Sequence, residues 1–122
     1  MVPTEQEEQI ALFKWADLAK NYHPELRLMF SIANEAGRFR NLRYAGVVRG
    51  VPDIFLACGR GRYLGMFLEL KRLKGGKVAY EQFQWLSQLQ EAGYYAVVAR
   101  GFEEARIAIV NYLEGSNGEI AE

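Results

Sequence analysis

The chain has 122 residues, half of them hydrophobic and a quarter charged, which suits one soluble globular domain over 1–122 that can bury a core without a disulfide or structural metal. Its single cysteine, Cys58, excludes an intramolecular disulfide and a zinc site built on several thiolates. No apolar stretch nears the roughly 20 residues that span a bilayer, and residues 1–5 lack the basic start and apolar run of a signal peptide, so no membrane partner and a cytoplasmic location are expected. The formal net charge of zero conceals three blocks. Residues 1–37 carry a net −3, residues 38–77 a net +8 and residues 78–122 a net −5. The middle block holds ten basic residues against only Asp53 and Glu69. Such a block is either a solvated surface or a polyanion-binding face, where neutralised phosphates release counterions.

Thr4 predicts the N-cap of a helix over about 5–20, with Glu7 as its capping-box partner. Ile10, Leu12, Phe13, Trp15, Ala16 and Ala19 give that helix a broad apolar face. His23-Pro24 ends it, and 26–33 is expected to be a strand. Residues 34–50 are rich in glycine and arginine, with at most a short helix. Pro52-Asp53 opens a short apolar strand over 53–57. Gly59-Arg60-Gly61-Arg62 makes a hairpin turn into a second strand over 64–70, closed by Lys71. Residues 80–92 read as a helix with Gly93 as its C-cap. A strand over 94–99 and a helix over 102–113 complete the order α-β-(α)-β-β-α-β-α. Residues 115–122 are expected to be a frayed tail. This order predicts an α/β fold, a mixed sheet with helices on both faces.

Several motifs are better read as structure than as chemistry. Gly59, Gly61 and Gly65 have the wrong spacing for a dinucleotide site, and Gly75-Gly76-Lys77 lacks the remainder of a P-loop, so no nucleotide cofactor is expected. His23 is the only histidine and sits at a helix end. Cys58 follows an apolar strand and reads as a small hydrophobe. The informative constellation is Pro52-Asp53 on one strand and Glu69-Leu70-Lys71 on the next. Residues two apart on a strand share a face, so Glu69 and Lys71 project together, and a hairpin brings Asp53 near them once the register is right. Two carboxylates suit Mg²⁺ or Mn²⁺, and a neighbouring ammonium can orient water or stabilise charge on a phosphoryl group. The plain alternative is a surface salt bridge of little worth.

At these residues the sequence resembles the PD-(D/E)xK nuclease superfamily. The match is closer to its VRR-NUC branch, the virus-type replication-repair nucleases. The approach Gly46-Val47-Val48-Arg49-Gly50-Val51-Pro52-Asp53, the strand Gly65-Met66-Phe67-Leu68-Glu69-Leu70-Lys71, the helix element Glu81-Gln82-Phe83-Gln84-Trp85, Gly93-Tyr94 and the pair Glu5 and Gln9 stand in the family's order. The resemblance implies a restriction-endonuclease-like core. It implies Asp53, Glu69 and the Leu70 backbone carbonyl as metal ligands, Lys71 as the catalytic lysine and Gln82 as a supporting residue. Glu5 fits the acid of the first helix, and Glu8 is its competitor. The residues 77–80 replace the small polar cap usual before Glu-Gln, and no appended DNA-binding domain is expected.

Stand-alone members of this branch, largely phage-encoded, act as homodimers on branched DNA, including four-way (Holliday) junctions. The expectation is therefore a Mg²⁺/Mn²⁺-dependent endonuclease of that kind, working in the phage-infected or bacterial cytoplasm. Arg38, Arg40, Arg43, Arg49, Arg60, Arg62, Lys74 and Lys77 are its candidate phosphate contacts. Alternatives are a non-catalytic DNA-binding module of the same fold and a flap-type or restriction-type nuclease.

Overall fold

The computed structural model describes residues 1–33 and 46–115. Helix α1 spans Glu5–Ala19. Thr4 Oγ1 accepts the Glu7 N–H at 3.1 Å while Glu7 Oε1 accepts the Thr4 N–H at 2.9 Å, the reciprocal cap anticipated from the sequence. A short 3₁₀ turn over Pro24–Leu28 follows. Strand β1 is only Met29–Ser31, so the strand expected over 26–33 is corrected. Proline, with its φ preset for a helical first turn, starts the 3₁₀ turn and delays the strand. Strands β2 (Ile54–Leu56) and β3 (Met66–Lys71), helix α2 (Tyr80–Glu91), strand β4 (Tyr95–Arg100) and helix α3 (Gly101–Leu113) complete the chain. Gly93, at φ +106°, terminates α2 as expected.

The sheet order is β1-β2-β3-β4, antiparallel except for the parallel pair β3/β4, which α2 connects. The α/β class with a mixed sheet is therefore as expected. On one sheet face Met66, Leu68 and Leu70 pack with Leu12 and Ala16 of α1 and Ala105 and Ile109 of α3 in the main core. The opposite face of β3 presents Phe67, Glu69 and Lys71. Helix α2 lies on that side, tied to β3 by Gln82 and to β4 by the Gln90 side chain, which donates to the Ala96 carbonyl at 2.8 Å. Phe55 and Phe67 stack there with ring centres 4.4 Å apart, and Tyr94 meets Phe67 edge-on at 5.2 Å.

Beyond the hairpin, Tyr112 is buried, stacks on Tyr95 and donates its hydroxyl to the Cys58 carbonyl at 2.7 Å. Among the described residues no helix is long and apolar enough to cross a membrane. The remainder of the expected tail, 116–122, lies outside the described residues.

Candidate active site

The register of the β2/β3 hairpin decides whether the two acids meet. Ile54 pairs with Leu68 and Phe55 with Phe67, and one step further along places Asp53 opposite Glu69. Pro52, buried and without an N–H, precedes the strand at a position that needs no ladder donor. The Asp53 carboxylate then accepts the Leu70 backbone N–H at 3.0 Å. A side chain of one strand thus holds the backbone of the other between Glu69 and Lys71.

Glu69 and Lys71 are 1% and 7% exposed, unusual burial for either residue type. The Lys71 Nζ lies 3.5 Å from Glu69 Oε2. The same oxygen accepts the Gln82 Nε2–H at 2.8 Å. Gln82 Oε1 in turn accepts the Ala79 N–H at 2.8 Å. That bond satisfies an orphan donor at the start of α2, where Ala79 offers no side-chain cap of its own, and it leaves the amide nitrogen facing Glu69. The departure at 77–80 from the usual small polar cap is compensated in this way.

Glu69 Oε1 is buried with no hydrogen-bond donor. Burial, then the facing Asp53 charge, raises the Glu69 carboxyl from its ordinary 4.5 to about 8, against the pull of Lys71. Burial also raises Asp53, helped by the Glu5 charge and opposed by the Leu70 N–H. Two acids held this close favour sharing a proton when nothing else neutralises them. An orphaned buried carboxylate oxygen beside a second carboxylate is also what a hard divalent cation would satisfy. Among the described residues no three carboxylate, imidazole or thiolate side chains form a closed metal cage. The donor set therefore suits an ion such as Mg²⁺, which takes few protein ligands and retains water.

These groups open into one cavity of about 430 Å³, lined by Glu5, Arg49, Asp53, Glu69, Lys71 and Gln82 together with Gly50, Ala79 and Glu81. Two glycines permit its closure. Gly50 adopts φ +96°, and a Cβ there would stand 2.9 Å from the Glu81 Cβ, so the strand approach packs directly on the first turn of α2. A Cβ on Gly76 would meet Glu5 Oε2 at 3.2 Å and the Lys71 side chain at 3.6 Å.

Glu5 and Glu8 are separated by their neighbours. Glu5 faces this cavity, whereas Glu8 is buried and accepts the Phe102 N–H at 2.9 Å, capping the start of α3. Sequence reasoning missed that cap, because its donor lies 94 residues away.

The basic block is divided. Arg49 lines the cavity, and Lys74 and Lys77 are exposed on the loop after β3. Arg60 and Arg62 belong to the hairpin at the other end of β2 and β3. Arg60 bonds the Leu113 carbonyl at 3.0 Å, the Gly59 carbonyl at 2.9 Å, Cys58 Sγ and the Glu25 carboxylate. Its fork is occupied internally by these partners. Arg62 lies over the Tyr63 ring. Arg38, Arg40 and Arg43 lie outside the described residues.

A four-stranded mixed sheet flanked by three helices, with an acid pair and a lysine at one end, is the architecture of a nuclease-type α/β domain. The VRR-NUC domain model matches residues 4–103, and the chain belongs to that family, whose PD-(D/E)xK type generally uses divalent metals. A solved structure described as "VRR_NUC domain protein" is similar to it, with TM-score 0.81 and 25% identity over 93% of this chain and 91% of that one. Comparison with curated proteins gives no match.

Proposed function

We propose that this protein is a Mg²⁺- or Mn²⁺-dependent DNA endonuclease that hydrolyses phosphodiester bonds in branched DNA, such as four-way junctions, as a homodimer. The observation that carries the reading is the pairing of half-buried Asp53 with buried Glu69, both carboxyls raised, with the Lys71 ammonium 3.5 Å from Glu69 in a cavity open to a substrate. Family membership supplies the nuclease class.

Asp53, Glu69 and the Leu70 carbonyl would hold the ion, with Glu5 close by. A bound divalent ion supplies Lewis-acid polarisation of the phosphoryl oxygen and water of lowered pKa. Lys71 orients the attacking water and stabilises negative charge as it builds on the phosphoryl group. Gln82 keeps Glu69 turned toward the site. Arg49 at the cavity, with Lys74 and Lys77 on the neighbouring loop, binds flanking phosphates. Such contacts carry affinity without base information and suit recognition by shape. One small site cuts one strand, so symmetric incision of a junction calls for two copies.

Calorimetric titration of the purified protein with Mn²⁺ tests the metal-dependent reading. A saturable site that Asp53→Asn removes is expected. No saturable site in the wild type would leave a non-catalytic DNA-binding module as the better account. Analytical ultracentrifugation, alone and with a four-way junction, reads the number of copies.

A further inference from the structure

Ile10 departs from the pattern of its helix. The core side of α1 carries Leu12, Ala16 and Ala19, yet Ile10 is 47% exposed. With Gln6, Gln9 and Phe13 it lines a groove of about 490 Å³ whose remaining walls are Glu5 and Asp53. Those two acids also line the catalytic cavity. An occupant of the groove is therefore next to an occupant of the site.

Resting on the nuclease reading above, we infer that this groove binds an unpaired nucleobase of the nucleotide adjoining the scissile phosphate. The chemistry of its walls favours a base over other parts of DNA. No arginine or lysine lines it among the described residues, so it is a poor seat for a phosphate. It offers one aromatic ring, one aliphatic side chain and two neutral amides. A nucleobase presents a π-face and a hydrogen-bonding edge, and stacking on an aromatic side chain accepts any base. The amides can meet donors and acceptors on that edge without demanding one sequence.

A base paired within a duplex cannot enter, because its edge and both faces are already engaged. The groove thus selects a strand with at least one unstacked nucleotide beside the cleavage position, as at a branch, a flap or a mismatch. The phosphate is then delivered to Asp53 and Glu69 while the base is held by α1. This assigns structure selectivity to a contact within one protomer.

The test is a set of branched oligonucleotides with a single abasic nucleotide placed in turn at each position around the cleavage site. Wild-type protein and the Ile10→Ser and Phe13→Ala variants are compared by kcat/KM and, in EDTA, by Kd. For the wild type, one flanking abasic position is expected to lower kcat/KM about tenfold, the loss of one stacked base. Each variant should cut the intact substrate about tenfold more slowly and be insensitive to that same abasic position.

Ile10 is half exposed, so Ile10→Ser keeps the fold if Phe13→Ala does not. Wild-type cleavage indifferent to every abasic position would overturn the inference. So would variants that retain the sensitivity, or an Ile10→Ser variant that changes oligomeric mass instead, which would give the groove to a second copy. Base-dependent binding in the wild type, lost in Ile10→Ser, with no cleavage of any substrate would keep the groove and sink the nuclease reading instead.

Discussion

Replacing Glu69 by glutamine keeps the shape of the side chain and removes one of two facing charges. The Glu69 carboxyl is raised from 4.5 to about 8, so between those values the folded chain binds a proton that the unfolded chain has released. Stability from this group is full below about pH 4.5 and declines as pH rises toward about 8. Each pKa unit is worth about 1.4 kcal/mol, so the decline across that window is on the order of several kcal/mol. A domain of this size loses roughly 3–6 °C of Tm per kcal/mol, which predicts a drop of about 10 °C or more for the metal-free protein between pH 5 and pH 9. Glu69→Gln should flatten that profile and be the more stable form at high pH. The assay is thermal unfolding in EDTA across pH 5–9, repeated with Mg²⁺. Magnesium should restore the wild type at high pH and leave the variant unmoved. Parallel pH profiles for the two proteins in EDTA would mean that Glu69 is not the group whose protonation stabilises the fold.

Four further substitutions probe the supports of the site. Gln82→Ala removes the donor to Glu69 Oε2 and should weaken Mn²⁺ binding about 10- to 100-fold by calorimetry, the usual effect of losing a partner behind a ligand. Gly50→Ala meets both a positive φ and the Glu81 backbone, so denaturant unfolding should show a loss of about 2 kcal/mol or more. Glu5→Gln and Glu8→Ala should separate cleanly. The first should reduce DNA cleavage at unchanged Tm, while the second, which leaves the part-buried Phe102 N–H without its acceptor, should cost about 1–3 kcal/mol of stability and affect cleavage only through the folded fraction.

What was legible in the sequence followed from local signals and from order along the chain. Thr4 and Glu7 announced their helix because a capping box acts over three residues. Pro52-Asp53 and Glu69-Leu70-Lys71 announced adjacent strands because a hairpin is a short-range element, although only the structure shows Asp53 opposite Glu69. Contacts made late in the chain with its beginning were not legible. Glu8 caps a helix that starts 93 residues later, and Arg60 is held by Glu25 and by the end of α3. Neither partnership leaves a mark on the residues nearby. The division of the basic block was hidden for the same reason, since the hairpin carries Arg60 and Arg62 at the end of β2 and β3 opposite to that of Asp53 and Lys71. Ile10 fitted the apolar face of α1 by spacing, but its position on the helix turns it into the groove beside the site.

Asp53, Glu69 and Lys71 are proposed to hydrolyse a phosphodiester bond, and that chemistry can be read directly. Its most direct test is an end-labelled four-way junction and a linear duplex of the same sequence, each incubated with wild type or Lys71→Ala in Mg²⁺, Mn²⁺ or EDTA. Cleavage and binding are read from the same samples. Metal-dependent, paired incisions in the junction are expected from the wild type, and binding without cutting from Lys71→Ala. Binding without cutting by the wild type in every metal, or undiminished cutting by Lys71→Ala, would contradict it.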